Sequence, residues 1–262
     1  FFAKYSADLA LMCLTGRQQL SSIANANCDR YLSASAYSML ELVTEGASQS
    51  KSFVVPPFHQ VDHLRSIPAD RNVLTAYGDS KINICMVGRV APNKGHPALI
   101  EAFAAYHHDY NSESRLIIIG KEETRLRKYS PLLRELAIRL KIKDAVVFAG
   151  EVSEAALKAY YQIAHAFMLT SEHEGFCVPL IEAMALGVPI VAYASSAIGE
   201  TVADAGVVWE ERNPYLLAET LDRLMSKSLS ADLCLKGHRR YQEKFTNQKI
   251  EETFLDAMSG VL

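Results

Sequence analysis

The stretch SEHEGFCVPLIEAMALGVPIV, residues 171–191, sets two glutamates, Glu174 and Glu182, eight positions apart. Eight residues is slightly over two helical turns, so both carboxylates can face one cleft if the segment after Gly175 winds into a helix. A carboxylate accepts two hydroxyl hydrogen bonds at once, which suits the vicinal diols of a ribose or a hexose. Gly175 lets the backbone approach a ligand, and the amides that open a helix favour an anion. Plainer roles exist for each glutamate taken singly. Glu174 can be a solvated loop charge, and Glu182 can pair with the helix dipole on an exposed face.

A second constellation is GRVAPNKG, residues 88–95, where Arg89 and Lys94 stand five residues apart among Gly, Pro and Asn. A planar guanidinium and a flexible ammonium flanking one point suit a diphosphate. The glycine spacing is not that of a Walker A loop, and no Ser or Thr follows Lys94. Two solvated charges on a surface loop are the alternative. The loops GKEET (120–124) and GEVS (150–153) can hold a base, and SSAIGE (195–200) brings Glu200 near a helix start. His173 lies beside the acidic stretch, but no Ser or Cys nucleophile stands at a recognisable spacing, so it reads as a solvated histidine. His107 and His108 come late in a helical stretch and read as surface residues. There is no DxD and no carboxylate cluster, so no metal is expected. The absence of GxGxxG after the first strand disfavours a dinucleotide dehydrogenase.

These loops recur because of a regular beat in the chain. Apolar runs at 82–90, 115–120, 145–150, 166–171, 189–194 and 206–210 alternate with helical patterns at 96–110, around LLRELAIRLKI, 153–166 and 177–186. Runs that are apolar throughout, not alternating, belong to a parallel sheet covered on both faces. Repeated βα units of that kind predict an α/β, Rossmann-like, doubly wound parallel sheet. In such a sheet ligands bind at the carboxyl edges of the strands, which is where each loop above falls. The aromatic run AYYQIAHAF (159–167) reads as core. Ser153 and Glu154 open their helix well, and Gly187 and Pro189 close another.

The remainder of the chain divides around this sheet. From Pro214 to Leu262 only helices are expected. Residues 6–25 and 36–46 read as helices and 28–35 and 51–58 as strands, too little to bury a core, so 1–58 is expected to be the remnant of a neighbouring domain. Residues 59–80 are polar and irregular and are the expected linker, leaving 81–262 as the main domain. The chain opens on Phe1-Phe2, so it reads as a piece of something longer.

Composition narrows the partners. The 262 residues carry a net charge of −3, with 49% apolar and 22% charged side chains, which offers no basic field for nucleic acid. Five scattered cysteines, Cys13, Cys28, Cys85, Cys177 and Cys234, form no CxxC pair and read as free thiols in a reducing compartment. No signal peptide or bilayer-length apolar run is visible, so a cytoplasmic protein is expected.

The ordered set VGRVAPNKG, LIIIGK, VVFAGEVSE, TSEHEGFCVPLIEAMALGVPIVA, ETVADAGVVW and LAETLDRLM resembles the carboxyl-terminal half of retaining GT-B glycosyltransferases of family 4, which carry the E-x7-E motif, here Glu174 to Glu182. The resemblance runs from about residue 82 to the end. Together with LTGRQQLSSI and DRYLSASAYSMLELV upstream, it is most similar to bacterial polysaccharide mannosyltransferases, as of lipopolysaccharide. It implies that Arg89 and Lys94 hold the donor diphosphate and stabilise its leaving charge, and that the amides of Gly175, Phe176 and Cys177 support the distal phosphate and sugar. It implies further that Glu174 holds sugar hydroxyls, Glu182 the nucleotide ribose, Val152 lines the base, and Gly88 permits close backbone approach. By resemblance the donor is GDP-mannose, no cofactor or metal is needed, and the sugar keeps its anomeric configuration. The glycan or lipid-linked acceptor belongs to the missing amino-terminal domain, as does any peripheral attachment of the full-length protein to the inner face of the cell membrane. The chain alone is then expected to bind donor and to transfer sugar poorly, and its carboxyl-terminal helices to pack back toward the other domain. A GT-B epimerase or phosphorylase, and a non-catalytic nucleotide-sugar-binding module, share these residues and stand as alternatives.

Overall fold

The computed structural model describes residues 17–26, 28–123, 126 and 128–261. The expected positions 6–16, Cys13 and Thr124 lie outside them.

Six strands form one all-parallel sheet: β3 (Ile82–Val87), β4 (Ser114–Ile119), β5 (Val146–Gly150), β6 (Ala166–Leu169), β7 (Ile190–Tyr193) and β8 (Gly206–Trp209). Their spatial order is β5-β4-β3-β6-β7-β8. Counted within the sheet, this is the 3-2-1-4-5-6 order of a doubly wound fold, whose direction of winding reverses between β3 and β6.

Apart from Asn83 in β3 and Ser114 and Arg115 at the start of β4, the strands are apolar because each face has its own cover. Ile84, Met86, Leu116 and Ile118 pack in one cluster with Leu99, Phe103 and Tyr106 of α5 (His96–Asp109). Cys85, Ile117 and Ile119 point the other way, to Tyr77 of α4 (Arg71–Tyr77) and to Ala156 and Tyr160 of α7 (Glu154–Ile163). Further cover comes from α6 (Tyr129–Arg139), α8 (Val178–Leu186), the short α9 (Ile198–Val202), α10 (Pro214–Leu224), which lies along α5, and α11 (Lys227–Arg240). Burying a Leu- or Ile-sized side chain is worth about 1.5–3 kcal/mol, so these two layers dominate the stability of the domain.

Residues 59–80 are not irregular. They form α3 (Val61–Ser66) and α4, and Val61 and Leu64 are buried in the main core. One helical turn separates those two apolar positions, too short a pattern to stand out among Asp62, His63 and Arg65 in the sequence. Lys158 closes α3 by donating to the carbonyls of Arg65 and Ile67, at 2.5 and 2.6 Å, and Asp70 caps α4 through the amides of Asn72 and Val73.

Before them come α1 (Arg17–Ala24), β1 (Tyr31–Ser33), α2 (Ala36–Thr44) and β2 (Ser52–Val54), with β1 and β2 paired in parallel as a separate two-stranded sheet. The last helix, α12 (Asn247–Ala257), returns to this part: Ala257 packs with Leu32 and Val55, and Arg30 donates to the carbonyls of Ala257 and Ser259. A π-helical stretch, Tyr241–Phe245, makes the bend between α11 and α12. Among the described residues no helix is long and apolar enough to cross a membrane.

Candidate functional site

The reversal between β3 and β6 parts the chain on either side of a crevice, and the loops 88–95 and 170–177 flank it. They are zipped together by backbone. The Glu172 amide donates to the Asn93 carbonyl (2.8 Å), and the Thr170 hydroxyl to the Gly95 carbonyl (2.9 Å). Pro92–Lys94 form a single 3-10 turn that ends on Gly95 at φ 67°, and a Cβ there would lie 2.0 Å from the Thr170 carbonyl oxygen. Only glycine fits a left-handed position with another main chain this close. The next loop joins in the same way: a Cβ on Gly120 would lie 2.0 Å from the Gly88 carbonyl oxygen.

Lys94 and Glu174 meet across this seam at 2.6 Å, with side chains only 17% and 9% exposed. The stem of Lys94 runs over Gly88, where a Cβ would sit 3.7 Å from Lys94 Cδ. Glu174 is held by its main chain: its amide donates to the Ser196 hydroxyl (3.3 Å), and its carbonyl accepts from the Ala197 amide (3.2 Å). The chain then passes Gly175, which faces Ser38 of α2, and Phe176, which packs edge-on against Phe245. Cys177, buried at φ 69° and ψ 77°, turns it into α8. A non-glycine residue in this conformation stores strain, of the kind found at sites where backbone direction matters. Burial pushes the Cys177 thiol up; Glu174 adds to the shift and Lys94 opposes it.

Glu182 lies in the second turn of α8, partly buried. Tyr161 of α7 donates to its Oε2 at 2.7 Å. Burial raises the Glu182 pKa above the ordinary carboxylate range, the Tyr161 hydrogen bond pulls it back, and Glu154 adds to the rise. Both glutamates add to the rise at the Cys177 thiol. Val152, in the loop after β5, packs partly buried beside the Cys85 cluster. That loop is two strands from β3, about 10 Å along the sheet edge.

Arg89 stands apart from the Lys94–Glu174 pair. Its guanidinium pairs with Glu123 at 2.7 Å and is 64% exposed, so it does not share a partner with Lys94. The reason is local: β4 adjoins β3, and its loop carries Glu123 past the Arg89 side chain. His173 is exposed as expected, with Nδ1 3.1 Å from the Ser196 hydroxyl. Glu200 lies in the first turn of α9, near a helix start as expected, and its carboxylate also reaches the start of α2, accepting from the Ala36 and Tyr37 amides at 2.7 and 3.0 Å. Among the described residues no group of three His, Cys, Asp or Glu side chains is placed to hold a metal ion. Cys28, Cys85, Cys177 and Cys234 are free thiols.

Three residues of this arrangement escape a reading of the sequence. Tyr161 looks like one more core aromatic, Glu123 like a loop charge, and Thr170 like the end of a strand. Nothing in the local pattern shows that their polar atoms reach Glu182, Arg89 and Gly95.

Residues 66–244 match the family described as glycosyl transferases group 1. The chain belongs to that family. Among similar proteins, D-inositol 3-phosphate glycosyltransferase of Geodermatophilus obscurus is 27% identical over 244 residues, covering 90% of this chain and 53% of that protein. Mannosylfructose-phosphate synthase of Agrobacterium fabrum is 29% identical over 183 residues, covering 67% and 40%. This group 1 glycosyltransferase chain thus spans about half, or less, of the length of those relatives. The fold is that of the GT-B structures: Anabaena HepE, solved in complex with UDP and glucose, superposes with a TM-score of 0.81 at 17% identity, covering 94% of this chain and 68% of that one.

Proposed function

We propose that residues 81–262 bind the nucleotide-diphosphate sugar of a retaining glycosyltransferase, and that the transferred sugar is a hexose. The observation that carries this is the meeting of Lys94 with Glu174 at the β3/β6 crevice, with Glu182 one helical segment away. A lysine ammonium has three donors, so Lys94 can keep Glu174 and still reach a phosphate oxygen. Charge that develops on the leaving diphosphate is then met by Lys94, with Arg89 joining by exchanging Glu123 for phosphate. Glu174 takes sugar hydroxyls, Glu182 the ribose, the amides of Gly175, Phe176 and Cys177 the distal phosphate, and the loop at Val152 the base. In this reading the positive charge comes from the protein, and no metal or other cofactor takes part. The part before residue 59 is the end of an acceptor-side domain, so efficient transfer to a glycan or lipid-linked acceptor needs the longer protein, placed in the cytoplasm. Mannose from GDP-mannose, for a surface polysaccharide, is the specific proposal. The UDP held by Anabaena HepE makes a uridine donor its competitor.

Calorimetric titration with GDP, UDP, GDP-mannose and UDP-glucose, beside a Glu182→Ala variant, tests the reading. Losing a carboxylate that holds ribose hydroxyls costs about 1.5–3 kcal/mol, tenfold or more in affinity. Selective binding of one nucleotide, weakened by that change, supports the site and names the base. Binding that ignores Glu182→Ala removes Glu182 from it.

A further inference from the structure

We propose that Tyr161 is a positioning residue for Glu182: its hydroxyl commits one carboxylate oxygen, so that the other is turned to the donor. This rests on Glu182 holding the nucleotide ribose, as proposed above. Three observations carry it.

The Tyr161 hydroxyl lies within reach of two acceptors, Glu182 Oε2 at 2.7 Å and the Pro179 carbonyl at 3.2 Å. A phenol has one hydrogen, and the shorter bond, to the carboxylate, takes it. The ring itself cannot swing away. It is 1% exposed and stacked on Phe167 of β6, with ring centroids 6.0 Å apart. A fully packed aromatic is a rigid mount, fixing its hydroxyl more closely than a flexible side chain would. Finally, Glu182 needs such a partner. It is partly buried, and burial disfavours its charge. The titratable groups that act on it are Tyr161 and Glu154 from α7, with Cys177 at the head of its own helix; Glu154 is in turn held by His63 of α3 at 3.2 Å. Tyr161 alone among these donates a hydrogen bond to the carboxylate.

With Oε2 taken, Oε1 is left with its lone pairs for a diol, in one orientation. A carboxylate free to rotate would have to be ordered by the ligand at each binding event, and affinity would fall accordingly. Phenylalanine keeps the ring and its packing, so Tyr161→Phe separates this role from that of a core residue.

The first arm needs no ligand. In protein labelled with 13C at the glutamate carboxyl, with the Glu182 signal assigned by Glu182→Gln, the titration midpoint of Glu182 is expected above the ordinary carboxylate range. It should move up by about one pH unit in Tyr161→Phe. An unchanged midpoint overturns the proposal. The second arm is calorimetric titration with UDP and with GDP between pH 5.5 and 8. Tyr161→Phe is expected to bind about five- to tenfold more weakly near neutral pH, with the acid-side loss of affinity displaced to higher pH and little change in Tm. If Glu182→Ala weakens binding and Tyr161→Phe leaves affinity and pH profile untouched, the positioning role falls and the ribose role stands. If Glu182→Ala itself changes nothing, the ribose role falls and this proposal with it.

Discussion

Replacing Gly95 by alanine tests whether the two loops at the crevice are held by close main-chain contact. Gly95 sits at φ 67°, and an added Cβ would lie 2.0 Å from the Thr170 carbonyl oxygen and 2.8 Å from its carbon. The left-handed backbone costs a residue with a Cβ about 1–2 kcal/mol. The clash is with backbone, so no side chain can step aside, and the 88–95 loop has to move. Moving it gives up the Thr170–Gly95 and Glu172–Asn93 hydrogen bonds, about 1 kcal/mol each. The sum is about 3–4 kcal/mol of unfolding free energy. Gly187 supplies the control: its φ is 72°, but an added Cβ there meets nothing within 4 Å, so alanine should cost only the backbone part, about 1–2 kcal/mol. Urea unfolding of the two variants, read by tryptophan fluorescence, measures the difference. Nucleotide binding should be lost in Gly95→Ala and kept in Gly187→Ala. Equal destabilisation, within about 0.5 kcal/mol, would show that the loops are not in this contact and refute the account of the seam.

Two further predictions follow from the same region. Lys94→Ala strands the Glu174 carboxylate in a mostly buried position and should cost about 2–3 kcal/mol, somewhat less than for a fully buried pair because both side chains keep some exposure. The paired change Lys94→Met with Glu174→Gln should recover part of that stability in urea unfolding without restoring nucleotide affinity; a double variant no more stable than Lys94→Ala contradicts the pairing. His96, at the start of α5, has its imidazole pushed down to about 4 by burial, with Lys94 adding to the shift and the Ala91 carbonyl opposing it. The unfolded chain takes up a proton near pH 6.5 and the folded one does not, so stability is complete above that pH and falls as the pH drops toward 4. The loss reaches about 3 kcal/mol. His96→Leu should flatten this part of the stability–pH curve measured between pH 7 and 5, and a slope equal to that of the parent would count against a neutral buried ring.

The strands of the sheet were legible because a strand covered on both faces must be apolar at nearly every position. The run at 82–90 became β3 with its end trimmed, and that at 115–120 became β4 one residue earlier. Helices such as α7 and α8 were legible from period and caps: Ser153 accepts from the Ala156 amide as its position suggests, and Gly187 ends α8 at positive φ. By contrast the stretch of α3 reads as linker in the sequence, since six residues with two apolar positions give too little periodicity.

For the site, residue types and loop positions fixed which groups are available: the parallel beat puts 88–95 and 171–177 at one sheet edge in any doubly wound arrangement. Partners were decided only by the tertiary structure. Lys94 and Arg89 share a loop, yet one reaches Glu174 across the β3/β6 seam and the other reaches Glu123 across the β3/β4 seam. Tyr161 carries the same local pattern as its neighbour Tyr160, and only the packing of α7 beside α8 gives its hydroxyl to Glu182. Spacing along a chain specifies which face of an element a side chain occupies. What stands opposite that face depends on strand order and helix packing, which join residues 80 and 34 positions apart here and leave no trace in the local pattern.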